Sequence, residues 1–413
     1  MKATRIAIVG GGIGGLVAAL ALHRAGAAVR VFESVREVRP LGVGINLLPH
    51  CVRILDGLGV LEPLLELGSP TQELLLFTRL GQQVWSEPRG AAAGYKWPQL
   101  AIHRGELQLA LLAAVRERIG AENVRTGHHF QRFEQSATEV RAEFVDRASG
   151  KLLASETADI LVAADGIHSS VRAQLIPGEG PPKWNGGFIW RGMAYAPQFL
   201  TGRSHVMVGG EQTFIAYPMA REPRADGMVL TNWVARIFVD PARGFEREDW
   251  NKRGELSDLE PLYQAWRFPW LDIPAIMHAS GEIFEYPMVD RDPLENWTFG
   301  RVTLLGDAAH PMYPLGSNGA SQAILDAQAL ADAFSARDPL AALAVYEAER
   351  RPKTARIVLS NRQGGPEVVL RIAEERAPHG FTDLEDVLPR SELEAISQSY
   401  KTVAGFDVGT VNR

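Results

Sequence analysis

Gly10, Gly12 and Gly15 stand in the spacing G-x-G-x-x-G, and an acid, Glu33, closes the next apolar run. Glycines at these places do different work. Gly10 permits a tight turn, Gly12 lets the backbone approach a pyrophosphate, and Gly15 lets a helix pack closely on the strand before it. A helix opening at Ile13, with Gly14 and Gly15 in its first turn, aims unpaired N–H groups at the phosphates. Glu33, with Ser34 beside it, can accept hydrogen bonds from a ribose diol. Its charge would repel a 2′-phosphate, so the pattern favours FAD or NAD over NADP. The glycines alone also fit a plain strand-to-helix turn; strand, helix, second strand and acid together favour a dinucleotide.

The elements that must position these groups are legible around them. Ile6 to Val9 suit a buried parallel strand, an Ala- and Leu-rich helix runs from Ile13 to about Ala25, and Val29 to Phe32 give a second strand. Two later strands end in the same way. Ile160 to Ala164 runs into Asp165-Gly166, after which Ser169, Ser170 and Arg172 open a helix, and Gly300 to Asp307 ends in Gly306-Asp307. Gly316, Asn318 and Gly319 then precede a helix beginning near Ala320, whose first N–H groups, those of Gly319 and Ala320, can meet negative charge. Pro40, Gly42 and Gly44 interrupt the regular pattern and let backbone approach something flat. Glu73 to Trp85 reads as strands, Ser86 to Trp97 as a loop, and Ala101 to Ile119 as one strong helix carrying Arg104. Arg104 can point at a cofactor or pair with an acid.

From Lys183 to Tyr286 strand-like runs dominate, which predicts a mostly antiparallel sheet inserted into the cofactor domain. The expected α/β architecture is a Rossmann-like cofactor domain from 1–182 and 287–362, an inserted substrate sheet from 183–286, and a C-terminal helical tail over 363–413. The inward face of that sheet is expected to include Trp190, Arg191, Phe214 and Tyr217, with Pro314 closing nearby. Tyr217 can hydrogen-bond a ring substituent and Arg191 a carboxylate; sheet packing and a surface ion pair are the alternatives. The aromatic character of Trp190, Phe214, Tyr217 and Trp233 suits a planar heteroaromatic ligand. No acid–base residue stands out.

A net charge of −6 gives no reason to expect nucleic acid or an anionic membrane as partner. One cysteine, Cys51, excludes an intrachain disulfide and a Cys-based zinc cluster, and suits a reducing compartment. The histidines show no metal-ligand spacing, so no metal is expected. No signal region opens the chain and no apolar run reaches the ~18 residues of a membrane span, which predicts a soluble, cytoplasmic protein.

With its three glycine- and acid-bearing segments in order, the chain resembles the single-component flavoprotein aromatic hydroxylases, the group of para-hydroxybenzoate and salicylate hydroxylases, up to about Arg362. The strings PLGVGIN, VWSEPRG, IHRGELQ, ADGIHS, YPMVDRDPL and LLGDAAH with NGASQAILD resemble most the phenazine-hydroxylating branch of pyocyanin biosynthesis. The resemblance implies that Gly10 to Gly15 hold the FAD pyrophosphate, Glu33 the adenosine ribose, Arg104 the phosphate or ribityl region, and Asp307 a ribityl hydroxyl. Asp165-Gly166 would serve both FAD and a visiting nicotinamide. Asn318 departs from the glutamine many relatives carry there, which alters flavin contacts or mobility. The implied reaction uses NADH or NADPH and O₂, forms a flavin C4a-hydroperoxide, and hydroxylates a small aromatic or N-heteroaromatic ring, with or without loss of a carboxylate. With only one dinucleotide fingerprint, the nicotinamide binds transiently, and the protein is expected as a monomer or homodimer. A salicylate- or hydroxybenzoate-type hydroxylase, a non-oxygenating reductase and a non-catalytic flavoprotein are the alternatives. A halogenase is disfavoured, because WRFPWLDIP at Trp266 to Pro274 lacks the W-x-W-x-I-P spacing.

Overall fold

Ile8, Val31, Leu161 and Val302 have no solvent exposure, and they lie in four adjacent parallel strands, Arg5–Val9, Ala28–Phe32, Ile160–Ala163 and Val302–Leu304. These were found in a computed structural model that describes residues 3–240 and 252–413. Val124–Arg125 extends the sheet at one edge and Thr298–Phe299, antiparallel, at the other. Strands buried on both faces need cover on both. The helices Ile13–Arg24, Arg104–Ile119 and Gly319–Ala336 pack together over one face. A three-stranded antiparallel sheet, His129–Gln135, Val140–Val145 and Leu152–Ala158, covers the other, with Phe144 stacked on Phe32 at a ring separation of 3.9 Å.

The second large sheet has seven strands in the order Ile283–Asp290, Lys183–Pro197, Met228–Phe238, Thr213–Pro218, Ser204–Val208, Glu73–Phe77, Gln83–Pro88. The span 183–286 therefore does not contain the whole sheet. Two strands come from residues 73–88, the first pairing parallel to Ser204–Val208, and the last strand runs on to Asp290. Two local readings also change. Gln83–Pro88 is a strand where a loop was expected from Ser86, and Gln99–His103 is a strand, so the helix begins at Arg104 and not at Ala101. Apolar Ala101 and Ile102 suit either element; His103 settles the boundary, its ring Nδ1 accepting from Glu106 N at 3.3 Å as the helix cap.

Side chains along a strand alternate between faces, and this sorts the expected substrate residues. Trp190 and Arg191 are neighbours and cannot share a face; nor can Phe214 and Tyr217, three apart. Trp190, Phe214 and Trp233 lie on the far face, in a core closed by Leu259, Tyr263, Ile276 and Met277. Phe214 stacks on Trp233 at 5.8 Å, and Tyr263 locks the layer by donating its hydroxyl to Thr213 O at 3.0 Å. Trp190 and Phe214 are thus core residues and not part of a substrate wall. Arg191, Tyr217, His205 and Met207 occupy the opposite face.

Part of that face is covered by the tail. Val368–Arg376 and Arg390–Ala404 set Leu370, Ala373 and Leu393 against Leu76 and Met207, and Tyr400 and Phe406 pack with Leu48 and Ile357. Phe214→Ala, which empties a wholly buried site behind the sheet, should lower unfolding free energy by about 3–5 kcal/mol in denaturant titration. A loss under about 1 kcal/mol would contradict its placement in the core.

Candidate active site

The glycine-rich turn separates two kinds of glycine. Gly10 has φ +108°, and a Cβ there would collide with the Ala164 carbonyl; one on Gly15 would collide with the Gly10 carbonyl. A Cβ on Gly14 would come within 3.0 Å of Leu305 and 3.1 Å of Ala323, so this glycine lets two helices close. Around Gly12 there is nothing within 4 Å. Gly12 caps the helix Ile13–Arg24 without a side-chain bond, and Ile13 is buried beneath it, so the first-turn N–H groups face an open cleft. Glu33 sits at its edge, Oε2 accepting from Gly11 N at 2.7 Å, and Oε1 from Val35 N at 2.9 Å and Ser34 Oγ at 3.2 Å. This cradle has the open backbone approach, free helix end and fixed carboxylate that a dinucleotide such as FAD requires.

Further along, Arg104 and Asp307 face each other electrostatically, both solvent-accessible in a cleft walled by protein. Loss of hydration pulls the Arg104 pKa down, with Asp307 opposing that and Arg191 adding to it. The same desolvation raises Asp307, partly offset by His310 and Arg104. Asp165 is differently employed: Ser169 Oγ, Ser170 N and Val171 N all donate to its carboxylate, at 2.6, 2.8 and 3.3 Å. What this turn offers a ligand is backbone, at Gly166 with φ +81° and open space where a side chain would stand. Gly306 takes φ +62° and donates its N–H to Asp326 Oδ2 at 3.1 Å. Gly44 is demanded by the sheet behind it, since a Cβ would lie 2.6 Å from Met219 Sδ and 2.8 Å from Asn232. Its N–H donates to Asn232 Oδ1 at 2.8 Å, and its carbonyl accepts from Arg191 Nη2 at 2.5 Å.

At the far end, the helix Gly319–Ala336 starts from Asn318 without a side-chain cap, and a Cβ on Gly319 would meet nothing within 4 Å. Ala320 is half-buried against the core. The Asn318 amide is turned inward, donating to Gly316 O at 3.1 Å and Tyr400 Oη at 2.9 Å. Before it, Gly316 (φ +63°) and Ser317 (φ +56°) are both left-handed, an uncommon state for serine and a form of strain that gathers at functional loops. Pro314 is exposed at the head of this loop, while Tyr313 and Leu315 pack on Ile189, Tyr286 and Met288 of the sheet. Arg191 and Tyr217 do come together. Burial pushes the Tyr217 hydroxyl up to about 12, with Arg191 pulling the other way.

Between sheet, loop and tail lies a cavity of about 50 Å³ bordered by Leu76, His205, Met207, Ser317, Tyr400 and Phe406, with Arg89, Gln99 and Lys401 also on its wall. Benzene occupies engineered cavities of about 150 Å³, so an aromatic ligand enters here only as tail and sheet part. His205, Arg89 and Lys401 were missed from the sequence. The pattern that would have found the tail helix's inner face is Leu393, Tyr400 and Ala404, all buried, at helical spacing.

Gly12→Val meets no protein atom, so the variant should fold and lose FAD; flavin absorbance after purification measures this, and full flavin content would remove Gly12 from the site. His50 and His205 give a pH dependence. Burial holds both near pKa 3, reinforced by Arg350 and Arg89 respectively, against about 6.5 unfolded. The unfolded chain therefore takes up protons first, and stability should fall between pH 6.5 and 3 by about 1.4 kcal/mol per unit for each histidine. Urea titrations of wild type and His50→Leu over that range should differ by one histidine's slope; identical slopes would contradict a neutral buried His50.

The FAD binding domain family model matches residues 3–360. The chain is 46% identical over 405 residues to a phenazine 1,6-dicarboxylic acid hydroxylase of Lysobacter antibioticus, covering 97% of each. It is 32% identical to a 3-hydroxybenzoate 6-hydroxylase of Aquipseudomonas alcaligenes, covering 85% of this chain and 86% of that one. In fold it is similar to a salicylate hydroxylase solved with substrate, with a TM-score of 0.75 at 22% identity over 100% of this chain and 97% of the other. A cradle built for a dinucleotide and relatives that are aromatic hydroxylases lead to one conclusion: the chain belongs to the FAD binding domain family and is a flavin-dependent aromatic monooxygenase.

Proposed function

We propose that the enzyme hydroxylates a planar N-heteroaromatic carboxylate of the phenazine-carboxylate class. The observation that carries this is the 46% identity, over 97% of both chains, to a phenazine 1,6-dicarboxylic acid hydroxylase. The sheet's aromatic residues lend no support, because Trp190, Phe214 and Trp233 are core. FAD, reduced by NADH or NADPH, supplies the activated oxygen taken from O₂. The protein binds and orients. Gly12 and the helix end at Ile13 receive the pyrophosphate, Glu33 the ribose, and Arg104 with Asp307 the ribityl region. The N–H groups of Gly319 and Ala320 favour negative charge at the flavin end. Tyr217, neutral at physiological pH, can donate to a ring substituent. Dependence on reduced nicotinamide and a single cysteine suit the cytoplasm; no helix among the described residues is long and apolar enough to cross a membrane.

A hydroxybenzoate-type substrate is the second reading, favoured by the 32% identity to a 3-hydroxybenzoate 6-hydroxylase. The two separate in one assay. NADH consumption, H₂O₂ release and hydroxylated product are measured under ¹⁸O₂ with phenazine-1-carboxylate, phenazine-1,6-dicarboxylate, 3-hydroxybenzoate and salicylate. Coupled turnover with one labelled oxygen entering the product is expected for the phenazines; coupling confined to the benzoates would reverse the assignment.

A further inference from the structure

Two cations on the cavity wall, Arg89 and Lys401, meet one buried carboxylate. Glu87, at the end of Gln83–Pro88, makes an ion pair with Lys401 of the tail helix and lies 3.6 Å from Arg89 Nη2. Its Oε2 also accepts from Trp85 Nε1 at 3.1 Å and Ser397 Oγ at 2.8 Å, so this carboxylate is already well used. Glu367, an acid on the wall itself, is taken by Arg236 Nη1 at 2.6 Å.

The charges do not cancel. Counting the charged residues on the wall together with their ion-pair partners, Arg89, Lys401 and Arg236 stand against Glu87 and Glu367, one positive charge in excess beside a largely apolar chamber. His205 adds none, because burial and the neighbouring Arg89 hold it neutral, and the buried Tyr400 hydroxyl is neutral too. Arg89 Nε and His205 Nε2 are buried without hydrogen-bond partners. A cation and an unmatched guanidinium N–H in such a place call for an anionic oxygen. Arg191 Nε is likewise buried without a partner, but Arg191 is not on the cavity wall, its Nη2 is committed to Gly44 O and its neighbour is Tyr217.

We infer that Arg89 and Lys401 form the carboxylate anchor of the substrate, with the ring lying between Leu76 and Met207 on one side and the Gly316–Ser317 turn on the other. This rests on the reading that the substrate is an aromatic carboxylate. Arg89 comes from the segment that follows the sheet's edge strand and Lys401 from the tail, so the anchor spans the two parts that must move apart to admit the ring. Neither residue takes part in proton or electron transfer; both set which ligands bind.

The test is equilibrium binding to the FAD-loaded enzyme, followed by perturbation of flavin absorbance, with two acid–amide pairs: phenazine-1-carboxylate against phenazine-1-carboxamide, and salicylate against salicylamide. In wild type the acid of the productive pair should bind better than its amide. Arg89→Gln should weaken the acid about tenfold and leave the amide within about twofold. Lys401→Met, which removes the other cation at Glu87 and leaves Arg89 in place, should change the same ratio in the same direction. Flavin content and unfolding temperature of each variant are compared with wild type. Equal loss for acid and amide, or no loss of acid binding in either variant, would overturn the anchor. Binding confined to the salicylate pair would overturn the phenazine reading, while the acid–amide contrast in the variants would still decide the anchor.

Discussion

One buried carboxylate holds the ligand end of the molecule together. Asp326 has no solvent exposure, yet it receives Gly306 N at 3.1 Å, His310 Nε2 at 2.5 Å and Arg350 Nε at 2.7 Å. Burial pushes its pKa up, and His310 and Arg350 more than reverse that, so it is held below the usual carboxylate range. A buried charge lacking such partners would cost several kcal/mol. The chain of contacts goes further: Arg350 Nη2 donates to Gln322 Oε1 at 2.6 Å, and Gln322 Nε2 to Asn318 Oδ1 at 3.2 Å. Asn318 then reaches Tyr400, whose hydroxyl donates to Asn361 Oδ1 at 3.0 Å. The turn at Gly306-Asp307, the start of the helix Gly319–Ala336, and the tail are thus parts of one buried polar network.

The seven-stranded sheet stands against this network with its faces divided. Its far face is spent on its own core, where Trp233 and Tyr263 leave no room for a ligand. Its near face is shared between apolar packing and polar groups: Leu76 and Met207 lie under the tail, Ile189 and Met288 under Tyr313, Arg236 meets Glu367 of the tail, and His205, Tyr217 and Arg191 form a further polar zone. The join to the cofactor domain combines apolar contacts, Tyr313 and Leu315 on Ile189, Tyr286 and Met288 and Ala101 on Tyr217 and Met219, with hydrogen bonds through Gly44, Asn232 and Arg191. A substrate chamber at such a seam can sit beside the cofactor without either domain surrendering its core.

What could be read from the sequence was local. The turn at Gly10 to Gly15 and the strands ending in Asp165-Gly166 and Gly306-Asp307 each announce themselves within one segment, through glycine spacing and apolar runs. The glycines themselves were less transparent. Spacing separates Gly10 and Gly15, required by neighbouring protein atoms, from Gly12, which borders open space, but no such pattern tells Gly44, required by the sheet behind it, from Gly166 and Gly319, which are open. Non-local pairing left no trace either: nothing in Glu73–Phe77 announces a parallel partner at Ser204–Val208, and a contact between Glu87 and Lys401 has no periodicity to betray it. The inward assignment of Trp190 beside Arg191 is another matter, because strand alternation alone forbids it.

Asn318 shows how closely the two ends of the chain are joined. A side-chain amide at the start of this helix would ordinarily be free to meet a cofactor or cap its own first turn. Here it is 1% exposed and bound to Gly316 O, Tyr400 and Gln322, and Gln322 Nε2 also reaches Ala404 O at 3.1 Å. The left-handed pair Gly316–Ser317 is therefore clamped from behind by the tail, and a Cβ on Gly316 would collide with Tyr400. Tyr400 is adjacent to Lys401 in the same helix, and Lys401 borders the cavity. A rigid helix cannot move one without the other. A ligand that displaces the helix at Lys401 on entering the cavity would displace Tyr400 as well, and with it the loop that leads to the N–H groups of Gly319 and Ala320, proposed above to face the flavin. The cavity wall at Lys401 and the loop that opens the helix Gly319–Ala336 are thus both tied to the tail helix Arg390–Ala404.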